Sequence, residues 1–389
     1  MKGMERDNNV KIGLKDYPEF VQGILDKLTD NIMSQIISDE ILKNIRHVVV
    51  TGNGDSYAAS LATKEIGSRM FLGADYQVLR CIDVSRHHVF SPEHPEQTLV
   101  VVISVSGGGS RVIEAMKRAA AKGCTTLAIT GNPESGLAKE AGHILQIEIP
   151  KVTGFSPVFQ TRTYVAAVCT TLLMALHAGQ IRGTITAGRA DEIRKEAIGY
   201  VSAVCNDNIL TQVDNQMFEL AKTWRNYLGF GFVGGGSDFA TAYFATAKFF
   251  ELCGSLNCLN DSEDWCHIDY FQTKRDQLGT IAVAFRECAS FSRTVETIAS
   301  MQKSNRNVLV VTDAEPETFY PGVTVCRIPG AKDDFVNPLA NFVPLFMLGN
   351  YIAIGRNYEY FGGMDASNPL FSQEGGINTI KTSKIEYID

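Results

Sequence analysis

Two apolar runs in the first third of the chain each end in a cluster of small residues, and a helical pattern follows each cluster. Residues 47–51 lead into Gly52-Asn-Gly-Asp-Ser56, and residues 99–103 lead into Ser104-Val-Ser-Gly-Gly-Gly-Ser110. In an open parallel sheet, ligands bind beyond the carboxyl ends of the strands, where helix N-termini and hydroxyl groups attract anions. One such loop would more simply satisfy turn geometry and helix capping. Two in one sheet predict a pocket for a small anionic ligand, above all a phosphorylated one.

Alternating strand and helix patterns continue around these two runs. Strand patterns occur at 47–51, 77–81, 98–104, 125–130 and 144–149, and helical patterns at 56–71 and 110–122. This alternation predicts an α/β fold in which parallel βαβ units place helices on both faces of a sheet. A long apolar helix near 161–178 is expected to close this part of the chain.

The second half repeats the order of elements found in the first. Its patterns are a helix at 206–223, a glycine-rich strand at 227–233, a helix at 238–253, strands at 256–260, 279–285, 307–312 and 323–327, and a helix near 337–355. The repeated order predicts an internal duplication. No serine-rich loop follows 279–285, so the two halves are expected to share a fold and to differ in role.

These patterns divide the chain into four segments. They are an N-terminal segment of polar helix (1–45), a first α/β domain (46–190), a second α/β domain (191–375) and a tail (376–389). The polar stretch 183–192 is the expected linker between the two domains. The tail is neither strand-like nor helical in pattern, but its four isoleucines indicate that it packs across the body of the protein.

Composition and charge exclude several classes of protein. A hydrophobic fraction of 45% with 20% charged residues is typical of soluble globular proteins, and the net charge of −7 argues against a nucleic-acid-binding surface. Nine scattered cysteines without a Cys-x-x-Cys motif fit free thiols in a reducing cytoplasm. The first residues lack the apolar core of a signal peptide. The uncharged stretches 163–181 and 337–355 contain polar residues that favour buried helices over membrane spans.

Lys248 and Glu251 lie three residues apart on the predicted helix 238–253, which places them on one face. A surface ion pair is the simplest explanation of this spacing. The neighbouring residues are largely aromatic and apolar, however, and a buried carboxylate is costly unless it has a partner or a function. A carboxylate in such surroundings is also the kind of group that moves protons between carbon atoms. The pattern alone leaves structural pairing and catalysis equally open.

His267 follows in the segment Ser262-Glu-Asp-Trp-Cys-His267. A lone histidine beside Trp265 and Tyr270 is more often a packed, hydrogen-bonded residue than a metal ligand. The three preceding cysteines have the spacing Cys-x4-Cys-x7-Cys, which matches no usual zinc arrangement. No metal site is predicted.

Five motifs resemble, in order, those of the double sugar-isomerase (SIS) domain family, which includes the isomerase half of glucosamine-6-phosphate synthase and the fructosamine-6-phosphate deglycases. They are the turn Gly54-Asp-Ser-Tyr57, the loop Ser104-Val-Ser-Gly107, the stretch from Phe230 to Lys248-Phe-Phe-Glu251, His267 sixteen residues later, and Asn378-Thr-Ile-Lys381-Thr. The resemblance covers residues 45–389. It implies two SIS subdomains, each a parallel sheet flanked by helices in a flavodoxin-like three-layer sandwich.

The resemblance also implies roles for individual residues. Glu251 would be the base that moves a proton between C1 and C2 of an open-chain sugar. His267, contributed by the neighbouring subunit of a homodimer, would assist ring opening or act as the acid. Lys381, or alternatively Lys384, would meet the carbonyl group. The residues expected to bind the substrate are Gly54, Asp55, Ser56, Ser104, Ser106, Gly107, Ser110, Gln160, Arg162, Lys248 and Lys384. This chemistry needs no metal or nucleotide cofactor.

Three hypotheses about function stay open. The leading one is a cytoplasmic homodimeric isomerase or deglycase acting on a phosphorylated amino sugar or a fructosamine-type adduct, without nucleic-acid or membrane partners. Because Gly109 replaces a family threonine and Asp55 brings a negative charge, the same chemistry on an unphosphorylated substrate is an alternative. The second hypothesis, from a different functional class, is a non-catalytic module that senses a sugar phosphate. The third is an unrelated enzyme with nucleophilic serines at the sheet edge, although the Gly-x-Ser-x-Gly elbow is missing.

Overall fold

A computed structural model describes residues 4–147, 149, 156–372 and 374–386, and for 156–160 it describes the main chain only. The chain divides into two compact units. The first unit is built mainly from Val21–Gly154, Phe159–Arg194 and the residues from Asp365 onward, and the second mainly from Lys195–Met364 and the residues up to Phe20. The predicted domains are continuous stretches, whereas each compact unit combines stretches that are distant in sequence.

The first unit contains five parallel strands. They are β1 (His47–Gly52), β2 (Asp75–Val78), β3 (Thr98–Ile103), β4 (Thr125–Thr130) and β5 (His143–Gln146). Their order across the sheet is β2-β1-β3-β4-β5. Valine and isoleucine fill most of β3, and all six of its residues are buried. Burial of this kind is typical of parallel strands that are covered by helices on both faces.

The second unit contains a sheet of the same size. Its strands are β6 (Gly229–Gly234), β7 (Leu256–Asp261), β8 (Leu278–Val283), β9 (Asn307–Thr312) and β10 (Thr324–Arg327). From one edge to the other their order is β7-β6-β8-β9-β10, and every pair is parallel. This is the order of the first sheet, strand for strand. The predicted fold class is therefore confirmed, and the order of strands predicted to repeat is the same in both sheets.

Helices pack on these sheets and connect their strands. They are α1 (Asn9–Leu14), α2 (Tyr17–Lys27), α3 (Asp30–Ile36), α4 (Asp39–Asn44), α5 (Asp55–Ala62), α6 (Lys64–Met70), α7 (Cys81–Arg86), α8 (Ser110–Ala121), α9 (Gly136–Glu140), α10 (Ser156–Arg182), α11 (Ala187–Val204), α12 (Asp207–Trp224), α13 (Ser237–Cys253), α14 (Asp264–His267), α15 (Phe291–Lys303), α16 (Val343–Arg356) and α17 (Thr379–Thr382).

Several predicted boundaries in the first half are wrong, each for a local reason. The helix predicted over 56–71 is interrupted between α5 and α6, where the Thr63 hydroxyl donates to the Ala59 carbonyl oxygen at 3.0 Å. Such back-bonding disturbs helix geometry. The strand predicted over 77–81 ends early because Cys81 already begins α7. The strand predicted over 144–149 ends at Gln146.

The N-terminal segment, predicted as one helical stretch, is divided into α1 to α4. The hydroxyl groups of Thr29 and Ser38 accept hydrogen bonds from the main-chain N–H groups of Ile32 and Ile41, respectively. Both residues therefore act as N-caps, and each starts a new helix. The apolar residues from Phe20 to Ile36 keep a helical spacing across the first of these starts, so the sequence pattern does not reveal it.

Three predicted boundaries in the rest of the chain also change. The stretch 183–192, predicted as a linker, is partly helical because α11 begins at Ala187. The helix predicted near 337–355 begins at Val343, since Asp334–Leu339 forms a 3-10 turn that contains Pro338. The tail was expected to lack helix but contains the short α17, where the Thr382 hydroxyl donates to the Asn378 carbonyl oxygen at 2.9 Å.

Two helical stretches, Thr161–Arg182 and Asp334–Arg356, are long and apolar enough to span a membrane. In each, 89% of the most apolar window is buried inside the protein, which is the environment of a core helix. All nine cysteines are free thiols, and seven of them are buried. Burial raises the pKa of the Cys81 thiol to about 12, as expected of a structural rather than a reactive cysteine.

Candidate functional site

The carboxyl ends of β1 and β3 lie side by side in the first unit. Gly52 pairs with Ile103 where the parallel ladder ends, so the loops 52–56 and 104–110 begin next to each other. The strand order also changes direction here, since β2 lies on one side of β1 and β3 on the other. Ligands bind at such a point in doubly wound sheets. The two predicted loops therefore border one crevice, called the first crevice below.

Two glycines shape the first of these loops. A Cβ atom on Gly52 would lie 2.9 Å from the Ile103 carbonyl oxygen and 2.7 Å from Ser56 Cβ, so a larger residue would force the two loops apart. Gly54 has φ +53° and ψ −122°, a conformation that is accessible to glycine. It directly precedes α5, which begins with Asp55. Asp55 and Ser56 are half-buried at this end of the sheet.

The second loop leads into the N-terminus of α8. The Ser104 hydroxyl accepts a hydrogen bond from the Gly107 main-chain N–H group at 3.2 Å. Ser106 is exposed, and Ser110, the first residue of α8, is buried. Gly109 precedes the helix without offering a capping side chain. The first N–H groups of α8 are therefore not capped from this position, and uncapped N–H groups attract phosphate or carboxylate.

The short helix α17 lies over the second loop. A Cβ atom on Gly108 would lie 3.9 Å from Lys381 Cε, and one on Gly109 would lie 3.8 Å from the Ile380 carbonyl oxygen. The two glycines thus leave room for α17. Lys381 is exposed, and its side chain runs past the loop that borders the first crevice. The structure therefore brings together the predicted phosphate loop and one of the two predicted lysines.

Ion pairs hold residues 376–386, called the strap below, against α7 and α8. The buried Glu114 pairs with Arg86 at 3.0 Å and with Arg111. Arg86 also pairs with Glu386 at 2.9 Å, and the Glu386 N–H group donates to Glu114 at 2.7 Å. Arg111 donates to the Lys384 carbonyl oxygen. Charge-assisted hydrogen bonds are stronger than neutral ones. They fix the strap to the first unit, while the Lys384 side chain itself is exposed.

Replacing Arg111 by glutamine is expected to loosen the strap. The variant loses the bonds to Glu114 and to the Lys384 carbonyl oxygen, and each bond to a charged group contributes about 1.5–3 kcal/mol. Hydrogen exchange of strap peptides, measured by mass spectrometry, should become faster by about tenfold or more. Arg293→Gln is the matched control, because Arg293 also pairs with two glutamates, Glu263 and Glu296, but in the second unit. Unchanged protection of the strap in the Arg111 variant would contradict the prediction.

The corresponding crevice of the second sheet is filled by the protein's own side chains. Gly236 has φ +55° and ψ −129° before α13, close to the conformation of the glycine before α5. Asp238 is buried, and its carboxylate accepts a hydrogen bond from the Phe285 N–H group at 2.9 Å. Cys288 Sγ donates to the Gly235 carbonyl oxygen at 3.2 Å. A buried carboxylate here opposes the binding of an anion, so the two halves differ at this position.

Asp238 is expected to make stability depend on pH. Its burial, with Asp334 nearby, raises its pKa to about 7. Because the folded-state pKa lies above the unfolded-state value, the stabilisation is complete at acid pH and is lost as the pH rises towards about 7. In Asp238→Asn the free energy of unfolding should fall less over this pH range than it does in the wild type. The difference between the two falls is at most about 4 kcal/mol. Urea denaturation at several pH values tests this, with the exposed Asp276→Asn as control. Parallel pH profiles for wild type and Asp238→Asn would disprove it.

The ion pair on α13 has a second partner. Lys248 Nζ lies 2.6 Å from Glu251 Oε2, and the Tyr360 hydroxyl donates to the same oxygen at 3.2 Å. The Lys248 side chain is 2% exposed and that of Glu251 is 22% exposed. The lysine is therefore the buried member of the pair, whereas the sequence suggested a buried carboxylate. Since a buried ammonium needs a counterion, Lys248 orients Glu251, and its burial argues against the predicted direct contact with substrate.

Tyr360 reaches Glu251 from the loop that follows α16. Phe361, Gly362 and Gly363 have φ values of +57°, +73° and +88°. A positive φ is uncommon for a residue such as phenylalanine, and backbone strain of this kind clusters at functional sites. Sequence reasoning missed Tyr360 because it lies more than a hundred residues after Glu251 and belongs to no short motif.

The remaining predicted site residues lie in different environments. His267 is on α14 with 68% of its side chain exposed, and its Nε2 atom lies 3.2 Å from Glu263, so it is not a packed core histidine. Arg162 is buried in α10. The side chain of Gln160 lies outside the described residues. Over the part of the chain that the structure describes, no group of three or more His, Cys, Asp and Glu residues is arranged to hold a metal ion.

Comparison with known proteins identifies the fold of the first unit. Residues 41–176 match the family model of the SIS domain. This chain therefore contains a SIS domain over residues 41–176. A glutamine–fructose-6-phosphate aminotransferase (isomerizing) of Halobacterium salinarum is 32% identical over 204 residues, which are 52% of this chain and 32% of that protein. The protein of the same name from Gloeobacter violaceus is 24% identical over 373 residues, which are 92% of this chain and 57% of that protein.

The SIS fold extends over both sheets. The C-terminal domain of glucosamine-fructose-6-phosphate aminotransferase from Francisella tularensis superposes with a TM-score of 0.76 at 15% identity, covering 91% of this chain and 98% of that one. The resemblance to double SIS proteins is therefore confirmed. The chain spans between one third and just over half the length of the two curated relatives.

Proposed function

We propose that this SIS protein is an enzyme that moves a proton between C1 and C2 of a phosphorylated amino sugar or of a fructosamine-type sugar–amine adduct, with or without cleavage of the C–N bond. The observation that carries the proposal is the first crevice, where a serine- and glycine-rich loop lies under Lys381. The proposed reaction needs an anion site and a base. The first crevice is the proposed anion site, and the hydrogen-bonded carboxylate of Glu251 on α13 is the proposed base.

The first crevice suits a phosphate group. Ser104, Ser106 and Ser110 supply hydroxyl groups, and the N-terminus of α8 supplies main-chain N–H groups and a positive dipole end. Glycines at 107–109 allow the backbone to approach an oxyanion closely. Lys381 adds a positive charge at the same loop. Asp55 is the acidic residue at this end of the sheet, and we assign it to the sugar hydroxyls rather than to the phosphate.

Glu251 is the proposed base. In the open-chain ketose, its carboxylate removes a proton from C1, the C–H electron pair forms the C1=C2 double bond, and the C2 oxygen takes up a proton. The C1 hydroxyl then loses its proton as the C1=O bond forms, the electron pair of the C1=C2 bond takes up a proton at C2, and the aldose results. When C1 carries an amine, the same shift leaves a C1=N bond, which water hydrolyses to the aldose and the free amine. Lys248 and Tyr360 hold the carboxylate in position through Oε2.

Lys381 is proposed to meet the sugar carbonyl as a hydrogen-bond donor or as an imine, with Lys384 as the alternative. His267 is proposed to assist ring opening from the neighbouring subunit of a homodimer, and its exposed side chain is compatible with contact to a second copy. Molecular mass in solution, measured by light scattering, tests the dimer. We place the enzyme in the cytoplasm, where buried thiols stay reduced.

Solvent exchange tests the proposed function directly. The protein is incubated in D2O with fructose 6-phosphate, glucosamine 6-phosphate or a fructosamine 6-phosphate adduct, and proton NMR follows the C1 and C2 signals. We expect deuterium to enter at C1 or C2 of at least one phosphorylated sugar, with thermal stabilisation by the same compound. Exchange of unphosphorylated sugars alone would overturn the phosphate assignment. Stabilisation without any exchange would favour a sensing module.

A further inference from the structure

A cavity lies at the amino ends of the strands of the second sheet, opposite to the carboxyl ends near Asp238. It has a volume of about 370 Å³, and the first residues of β6, β7 and β8, which are Gly229, Leu256 and Leu278, line it. Ligands of doubly wound sheets bind at the carboxyl ends of the strands, whereas this cavity lies at the amino ends. The proposed function therefore leaves it unexplained.

Arg306, which directly precedes β9, brings a positive charge into the wall of this cavity. It is 5% exposed. One terminal nitrogen donates to the Asp269 main-chain carbonyl oxygen, and the guanidinium group lies 5.6 Å from the centroid of the Trp265 ring. Its Nε atom is buried and has no hydrogen-bond partner among the described residues. Within that same part of the chain, no carboxylate forms an ion pair with it.

The acidic residue of the cavity wall, Asp269, lies near enough to Arg306 for its charge to act on the guanidinium group, but its carboxylate forms hydrogen bonds to other residues. Asp269 Oδ2 accepts hydrogen bonds from Asn260 at 2.8 Å and from Cys258 Sγ at 3.5 Å, and its Oδ1 accepts one from Gln272 at 3.4 Å. Burial nevertheless lowers the pKa of the Arg306 guanidinium, so the nearby charge of Asp269 offsets only part of the cost of burying it. An anion in the cavity would offset more of this cost.

We propose that this cavity binds a small organic anion that carries one carboxylate or phosphate group on an apolar body. The guanidinium fork pairs with the oxygens of such a group, and its terminal nitrogens, one of which already donates to Asp269, are the donors for the ligand. Lys274, an exposed residue of the lining, adds a second positive charge. Phe230, Leu256 and Trp265 supply apolar surface for the rest of the ligand. The site is separate from the proposed active site and does not depend on the proposed function.

Tryptophan fluorescence gives a local readout. The chain has two tryptophans, of which Trp265 lines the cavity. In a Trp224→Phe background, emission from Trp265 is followed during titration with benzoate, phenyl phosphate and the neutral benzyl alcohol. We expect a saturable change with at least one of the two anions and none with the alcohol. The stronger of the two anions identifies the preferred oxyanion.

Variants locate the binding. Arg306→Gln should raise the Kd of the anion by at least about tenfold, which corresponds to the loss of one hydrogen bond to a charged group. Arg306→Lys keeps the charge but loses the fork, so it should also weaken binding, and circular dichroism verifies that both variants fold. Arg327→Gln, which removes an exposed guanidinium paired with Glu315, should change nothing.

Three results would overturn the proposal. The first is that neither anion gives a saturable signal. The second is that wild type and both Arg306 variants bind the anion with the same Kd. The third is that the signal is lost in a Ser104→Ala, Ser106→Ala double variant. The last result would assign the anions to the first crevice. Failure of sugar-phosphate turnover leaves these measurements unaffected, so the two proposals are tested separately.

Discussion

Replacing Glu251 by glutamine is expected to slow C1/C2 proton exchange by about 10²–10⁴-fold, the usual contribution of a positioned general base. Glutamine has the same length and can still accept the hydrogen bond from Tyr360, but it does not take up a proton. The measurement is the rate of deuterium entry into the sugar phosphate in D2O. Glu219→Gln is the matched control, because Glu219 and Lys222 form an exposed pair at 2.6 Å with the same three-residue spacing.

The same substitution leaves Lys248 without its carboxylate. Removing one partner of a buried ion pair costs about 3–5 kcal/mol, so Glu251→Gln alone mixes a chemical effect with a loss of stability. A Lys248→Met, Glu251→Gln double variant removes both charges and should recover most of the stability but none of the exchange. If Glu251→Gln keeps near wild-type exchange, Glu251 is not the base. If the double variant regains exchange, the loss in the single variant is structural.

Replacing Gly107 by alanine is expected to abolish the binding of sugar phosphates and to destabilise the first unit by about 3 kcal/mol or more. Gly107 has φ +61°, and a Cβ atom there would overlap with Cβ and Oγ of Ser135. Ser135 in turn caps α9 by accepting a hydrogen bond from the Ala138 N–H group at 3.2 Å. Relief of the overlap therefore moves the second loop, the start of α9, or both.

Gly183→Ala is the control for Gly107→Ala. Gly183 has φ +74°, and no atom lies within 4 Å of its Cβ position, so this variant carries the backbone strain of about 1–2 kcal/mol without an overlap. Urea denaturation measures the loss of stability, and calorimetric titration with fructose 6-phosphate measures the loss of binding. Equal losses of stability in the two variants would show that the overlap with Ser135 is relieved at no cost. Normal binding by Gly107→Ala would remove this loop from the site.

The architecture follows from the sequence because its main features are periodic. Valine-rich runs such as residues 47–51 and 99–103 alternate with amphipathic helices, and this pattern predicts parallel βαβ units. The repeat of that order predicts the second sheet. The ends of individual helices and strands are harder to predict from the sequence, because they depend on single side chains. The hydroxyl of Thr63, for example, divides one predicted helix into two by bonding to a carbonyl oxygen four residues earlier.

The candidate site is predictable only where its residues are close in sequence. The loop 104–110 is recognisable from its serines and glycines. The spacing of Lys248 and Glu251 places both on one face, but it does not tell which of them points inward. Tyr360 and Glu114 have no local pattern, since their roles depend on partners found after folding. The cavity beside Arg306 combines several segments of the chain and has no counterpart in a motif.

The strap has a consequence for the order in which the protein is made. It belongs to the first unit, yet the ribosome synthesises it after the whole of the second sheet. A nascent chain therefore acquires the five strands of the first unit, and the loop at their edge, long before the lysine that lies over that loop. Under the proposed function, the complete ligand site is thus acquired late in translation, and a chain interrupted within the second unit would lack Lys381.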